Sequence, residues 1–339
     1  MHTASAVIIL GAGSSAAFGV PTLRNLFLDD NAQTYLGNHS WLRNQLQRLI
    51  WEPRGHSLAT SDKSLNIEEI LTLVRDSTEQ QWGLQPLLTD DHDRQRFRRG
   101  LYSLIKCAVY DDKSSSPKHL NPLIAACQRE FRRTTWATFN WDCLFEASFY
   151  YSGGPQPFDR CNPHVVVPLE DWKDGPCRDT LLKLHGGVNW WYRNGHIRYL
   201  SFGRGGELTA TWREYESGSR VGRPLILEPS YYKYNDPLYK RLARQWKIWV
   251  KRLTSADVVL VVGYSLPQAD WAARAAVTLG FQNNPRSQWV IVDPSQRTCS
   301  RYVSLLGRSR VRVYRSSLSG LKDDWNKILA AALSKAAAR

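Results

Sequence analysis

The sequence predicts an α/β fold: a doubly wound, Rossmann-like parallel sheet that carries a helical insertion. Three observations lead there. An apolar run, Val7 to Leu10, passes straight into a glycine turn and a helix start. From Thr134 onward short runs rich in Val, Ile and Leu return, unbroken by polar alternation and separated by helix or loop, as in a parallel sheet covered on both faces. Between these regions, residues 25 to 133 carry apolar positions at mostly helical spacing.

The first strand is followed by GAGSSAAFGVPTLR. Gly11 and Gly13 have no Cβ to hold a phosphate off the backbone, and Ala16 lets the new helix sit close to the strand. Helical stretches follow at Trp41 to Trp51, Asn66 to Asp76, Arg94 to Tyr110 and Lys118 to Arg133, divided by polar breaks such as GHSLATSDKS and DDKSSSP. The later strands are TTWATF, TLLKL, PLILE, DVVLVVG, QWVIVD and VRVY. These runs put a Rossmann-like core in residues 1–24 and 134–339 and a helical insertion in 25–133, with a Gly- and Arg-rich loop insertion in 187–223. Lys240, Arg241, Arg244, Lys247, Lys251 and Arg252 alternate with Leu242, Trp246, Trp249, Val250 and Leu253, the pattern of a surface helix docked by its apolar stripe.

A chain of 339 residues, 42% hydrophobic and 22% charged, can bury a full core. Its 45 Lys and Arg against 31 Asp and Glu leave +14, a surface that draws anions, whether a nucleotide substrate, an acidic partner or nucleic acid. The six cysteines never fall at C-x-x-C spacing, so reduced thiols and no zinc site are expected. No apolar run approaches bilayer length, and the first one lacks the basic flank of a signal peptide. The expectation is a cytoplasmic protein with no membrane role.

In open sheets of this kind ligands bind beyond the carboxyl ends of the strands, so the residues just after each apolar run form the candidate site. They are Gly11, Gly13 and Ser14; Asn140 and Asp142; His185 and Gly186; Gly263, Ser265 and Asp270; and Asp293. Each also has an ordinary structural reading. Asn140 and Asp142 could cap the helix starting near Cys143, His185 could be a turn histidine, and Asp293 before Pro294 a turn residue or cap. Their gathering at five strand ends favours a site.

In this order the strand ends resemble the sirtuin (silent information regulator) family, whose members bind NAD and break its nicotinamide–ribose bond. GAGSSAAFGVPTLR resembles the family's GAG-x-S…GIP-x-x-R segment, TFNWD its T-x-N-x-D, LHGG its His-Gly and GYSL its Gly-x-Ser turn. The paired C-x-x-C of the deacylases' zinc ribbon has no counterpart, and Thr22-Leu23 stands where the family has Asp-Phe. With NWD in place of NID and Glu228-Pro229-Ser230 where those relatives carry an EPS segment before the penultimate strand, the chain is similar to divergent bacterial sirtuin-like proteins. Those are commonly NAD-hydrolysing effectors of antiphage defence, often oligomeric and paired with an infection-sensing protein.

The resemblance implies an NAD+ glycohydrolase that uses NAD as substrate and needs no zinc. Gly11, Ala12, Gly13 and Ser14 would cradle the pyrophosphate, with Gly263 and Ser265 closing from the neighbouring strand end. Asp293 would bind the adenosine ribose, and Arg24 a phosphate or its own loop. Asp142 would hold the nicotinamide carboxamide, Asn140 would position a water or ribose hydroxyl, and His185 would activate it as the base. It also implies a homo-oligomer and a HerA-like ATPase as a plausible partner. Residues Asn66 to Glu69 and their aromatic neighbours are a candidate lid. Three other readings remain: a protein deacylase or ADP-ribosyltransferase, an NAD- or nucleotide-sensing module, and a nucleic-acid-binding protein drawing on the positive charge and on Trp190, Trp191, Tyr192 and Arg193.

Overall fold

The computed structural model describes residues 4–22, 25–51, 67, 70–71, 90–110, 120–151, 165–166, 178–200, 207–219, 221–227 and 237–338. In chain order, β1 (Ser5–Leu10) and the short α1 (Ala12–Ala16) come first, then α2 (Asp30–Asn38), α3 (Ser40–Leu46) and α4 (Asp91–Val109). Next are α5 (Asn121–Glu130), β2 (Arg133–Thr138), α6 (Leu144–Tyr151), β3 (Val165–Val166) and β4 (Asp179–Lys183). They are followed by β5 (Gly186–Arg193), β6 (His196–Tyr199), α7 (Glu207–Glu216) and β7 (Arg223–Ile226). The last third holds α8 (Pro237–Leu253), β8 (Val258–Val262), α9 (Trp271–Asn283), β9 (Gln288–Val292), α10 (Gln296–Leu306), β10 (Val311–Tyr314) and α11 (Trp325–Ala337).

The chain divides into two compact units: Met1–Gly19, Ser115–Gly186 and Pro237–Arg339 in the first, Val20–Ser114 and Gly187–Asp236 in the second. The first is the doubly wound sheet. Its strands run β10-β9-β8-β1-β2-β4-β3, with parallel pairing throughout. Strand β1 lies in the middle, with Ile8 opposite Trp136 of β2 on one side and Leu260 of β8 on the other. The runs are apolar on both sides because both faces are covered. Ala6, Ile8, Leu10, Trp136, Val258, Leu260 and Val262 pack with Leu123, Ile124 and Cys127 of α5 and with Ile328, Leu329 and Ala332 of α11. Helix α8 packs against β2 and β4, and α10 against β9 and β10. Strand order reverses between β1 and β8, which makes their carboxyl ends the crevice of such a sheet.

Three features of this architecture differ from the sequence expectation. The helix after Lys118, expected in the insertion, docks on the sheet as α5: Leu123, Ile124, Ala126 and Cys127 form one apolar stripe that closes the β1–β2 face. PLILE, expected in the parallel sheet, forms β7 of a separate three-stranded sheet of order β6-β5-β7. The expected loop at 187–223 holds most of β5 together with β6, α7 and the start of β7, because Val188, Trp190 and Trp191 bury in a core with Trp212. The basic segment forms the expected amphipathic helix α8, burying Leu242, Trp246, Trp249 and Leu253.

The second unit carries α2, α3, α4 and α7 beside that sheet. Asp29 caps α2 by accepting from the amides of Asn31 and Ala32, and Asp90 caps α4 through the Asp93 amide. Trp191, Trp212 and Tyr215 pack edge to face, and Trp212 Nε1 donates to the Val188 carbonyl. Among the described residues no helix is long and apolar enough to cross a membrane. Arg24, Asn66, Glu68, Glu69, Cys161, Cys177 and Glu228 to Ser230 lie outside the described residues.

Candidate functional site

The glycine turn after β1 is a backbone crossing. A Cβ on Gly11 would sit 2.4 Å from Tyr264 Cα, one on Gly13 2.9 Å from Gly263 Cα, and one on Gly263 2.3 Å from the Ser14 nitrogen. Gly263 also has φ +62, a conformation that favours glycine. The ends of β1 and β8 therefore meet at a separation that admits no side chain. The Gly11 amide donates to Val262 O at 3.1 Å, the Gly13 amide to Gly263 O at 2.9 Å and the Ser14 amide to Gly11 O at 2.8 Å. Ser14 Oγ donates to the same carbonyl at 2.7 Å. These donors close the turn on itself.

Asn140, just beyond β2, is tied to this turn. Its Nδ2 donates to Gly11 O at 2.9 Å and to Ser15 Oγ at 2.8 Å. Ser15 in turn donates to Asp142 Oδ2 at 2.6 Å, and Asp142 Oδ1 accepts the Leu144 amide at 3.0 Å, capping α6. Both Asn140 amide protons thus point inward, and Oδ1 is left as its acceptor. Burial pushes the Asp142 carboxyl above the usual carboxylate range, against the opposing pull of Ser15 and Lys183.

Beneath this loop lies a buried ion pair. Lys183, the last residue of β4, is fully buried; its Nζ donates to Glu146 Oε1 at 2.8 Å and to the Asp142 carbonyl at 2.6 Å. Its own amide donates to Gln245 Oε1 at 2.8 Å. Burial acts to lower the ammonium pKa, but Glu146, Cys143 and Asp142 outweigh it and the net shift is upward.

Two residues past Lys183, His185 is buried in an aromatic setting. Its ring meets Phe139 edge to face at 5.0 Å, and Trp246 lies 6.4 Å away. Gly186 takes φ +71 to turn the chain out of the site, which accounts for the His-Gly pair. His185 Nε2 is 3.6 Å from Asp270 Oδ1, and Asp270 Oδ2 accepts from Tyr264 Oη at 2.7 Å. The Tyr264 ring stacks on Phe139 at 4.0 Å and 4°. Phe139 is therefore the joint of the site: it neighbours Asn140 in the chain, touches His185, and stacks on the residue that Gly11 crosses.

At the β9 end, Asp293 is buried and accepts the Ser295 amide at 2.8 Å; desolvation pushes its carboxyl upward. Ser265 is exposed at the β8 end. From β9 to β4 the strand ends bearing Asp293, Ser265, Gly11, Asn140 and His185 follow in adjacent order, four steps or about 19 Å of sheet edge. Sequence reasoning did not find Ser15, Lys183 or Glu146. The one available signal was a lysine inside the apolar run TLLKL.

No protein-family model and no curated protein matches the chain in sequence. In structure it is similar to a sirtuin from work on the structural basis of sirtuin substrate affinity, at 13% identity over 95% of this chain and 93% of that one, with a TM-score of 0.50. It is similar also to a Sir2 homologue described as an NAD complex (13% identity, 97% and 90% covered, TM-score 0.49). A Sir2 homologue mutant described as a 2'-O-acetyl ADP ribose complex gives 14% identity, 97% and 93% covered and a TM-score of 0.48. The first likeness establishes the fold: an open, doubly wound α/β sheet of the sirtuin kind.

Proposed function

We propose that the chain is an NAD+ hydrolase that cleaves the nicotinamide–ribose bond, releasing nicotinamide and ADP-ribose. The observation that carries the reading is the joint at Phe139, which unites the glycine crossing, Asn140 and His185 at the carboxyl edge of the sheet, beside its point of strand reversal. The resemblance of the same strand ends to the sirtuins, and the sirtuin-like fold, support it.

In this reading the backbone from Gly11 to Ser14 takes the pyrophosphate, and the crossing keeps Cβ atoms off its approach. Three of its amides are engaged, so the charge is met by Ala12, by the Ser14 hydroxyl turning from Gly11 O, and by Ser265 across the crossing. Gly263 makes that approach possible, Asp293 takes a ribose hydroxyl of the adenosine half, and Arg24 serves the phosphate. Asn140 offers Oδ1 to a water or ribose hydroxyl on one face of the sugar. Asp142 fixes Ser15, and through it Asn140, and by the resemblance it is also the residue that holds the nicotinamide carboxamide. His185 takes the proton from the nucleophile as neutral nicotinamide departs with the bonding electron pair. A base so placed contributes about 10²–10⁴-fold in rate.

The biological role proposed with it, from the resemblance, is that of a cytoplasmic effector of antiphage defence acting as a homo-oligomer, with a HerA-like ATPase as partner and no zinc. The test is nicotinamide release from NAD by the purified chain, alone and with its neighbouring gene product. Asn140→Ala and His185→Ala should each abolish it with far-ultraviolet circular dichroism unchanged. Wild-type turnover in either variant refutes the mechanism, and turnover that requires an acetyl-lysine peptide makes the protein a deacylase instead.

A further inference from the structure

We propose that Asp270, braced by Tyr264, fixes the proton of His185 on Nε2 and so leaves Nδ1 as the basic nitrogen. The proposal rests on His185 being the base of the site, and it assigns Asp270 the part of a positioning residue.

The geometry is directional. Asp270 is buried at the entry to α9, and its Oδ2 is taken by the Tyr264 hydroxyl at 2.7 Å. The other oxygen, Oδ1, is the one turned toward His185 Nε2, 3.6 Å away. At that separation the contact is electrostatic rather than a formed hydrogen bond, and such contacts tighten when substrate closes a site. An ionised carboxylate can only accept. A neutral imidazole beside it therefore keeps its proton on the facing nitrogen, and the lone pair on the other. When Nδ1 takes a proton from the nucleophile, the imidazolium carries an N–H on each nitrogen, and Asp270 faces one of them.

Tyr264 is held so that this aim is not lost. Its ring lies flat on Phe139, its carbonyl accepts from Tyr302 Oη at 3.0 Å, and its Cα is pressed against Gly11. Between Tyr264 and Asp270 the chain passes through Leu266 at φ +51, a left-handed conformation that costs free energy in any residue with a Cβ. Arg301 of α10 holds that bend by donating to the carbonyls of Ser265 and Leu266. The segment GYSLPQAD thus supplies three things from one loop: the glycine that crosses β1, the tyrosine that braces, and the carboxylate that points at the imidazole.

The test reads the tautomer directly by long-range ¹H–¹⁵N spectra of the histidine-labelled full chain, with the His185 signal assigned by its loss in His185→Gln. The wild type should show His185 protonated on Nε2 at neutral charge; a dominant Nδ1-protonated ring overturns the proposal. Asp270→Asn gives the second reading. The Tyr264 hydroxyl claims the amide oxygen, so the Asn NH₂ faces His185 and should move the ring proton to Nδ1. With it kcat for nicotinamide release should fall about 10²–10⁴-fold, the contribution of a general base, with KM little changed. An unchanged tautomer in Asp270→Asn, or an effect confined to KM, refutes it. The tautomer in the wild type is measured without any turnover, so a protein that does not hydrolyse NAD still decides the question.

Discussion

Replacing Lys183 by methionine tests how the loop bearing Asn140 and Asp142 is held. The ammonium is fully buried, with Glu146 Oε1 at 2.8 Å and the Asp142 carbonyl at 2.6 Å. Lys183→Met removes the cation and leaves the Glu146 carboxylate buried opposite a thioether, a loss of about 3–5 kcal/mol for a broken buried pair. Adding Glu146→Leu removes the buried carboxylate as well. What then remains is chiefly the Asp142 carbonyl without its donor, about 1–3 kcal/mol. The double variant should therefore be more stable than the single one by about 2 kcal/mol. Activity should not follow stability: neither variant can donate to Asp142 O, so both should lose nicotinamide release.

Urea unfolding followed by circular dichroism measures the first part, with a fit for two transitions because the chain has two compact units. The sign with pH is fixed by the upward shift of Lys183 from the ordinary 10.5. A raised folded-state value means that the ammonium's contribution is whole below the unfolded value and is lost as pH climbs through the folded one. From about pH 7 to 9 the gap between wild type and Lys183→Met should thus stay constant. A single variant that loses less than about 1 kcal/mol, or a double variant no more stable than the single, refutes the account of the pair.

Gly263→Ala should cost about 1–2 kcal/mol from its φ alone, and more because the new Cβ meets the Ser14 nitrogen at 2.3 Å; thermal unfolding reads it. Gly37→Ala in α2, where a Cβ meets nothing within 4 Å, should instead stabilise by about 0.5–1 kcal/mol. The Asp293 carboxyl is raised by burial, so its contribution is most favourable below the ordinary 3.8 and is lost as pH rises through the folded value. Asp293→Asn should accordingly be more stable than wild type at neutral pH, with the advantage vanishing toward pH 4. The same variant should bind ADP-ribose more weakly by calorimetry if Asp293 takes the ribose, and unchanged affinity removes it from the site.

What was legible in the sequence is what the chain states locally. An apolar run that stops at Gly, Asn, His or Asp marks where a buried strand ends, and in a parallel sheet all such ends fall on one edge. Gly11, Asn140, His185, Gly263 and Asp293 could be placed together on that ground alone. PLILE could not be assigned to its sheet, because four buried apolar residues look the same whichever strand they pair with. The stripe of α5 likewise fits a sheet face or another helix.

The groups that hold the site were hidden for a related reason. Lys183 and Glu146 are 37 residues apart, Ser15 and Asp142 127 apart, and a lysine in TLLKL reads equally as a solvated edge. Only the fold reveals that its charge is neutralised beneath FNWD. Residue types at strand ends announce which chemistry is available, whereas orientation and protonation are set by buried partners contributed by other elements. Asp142 shows the difference: the sequence offered a helix cap or a ligand contact, and the structure has it capping α6 while fixing Ser15 against Asn140. A single carboxylate serves both because its two oxygens accept in different directions, so the structural reading of such a residue is no argument against its place in the site.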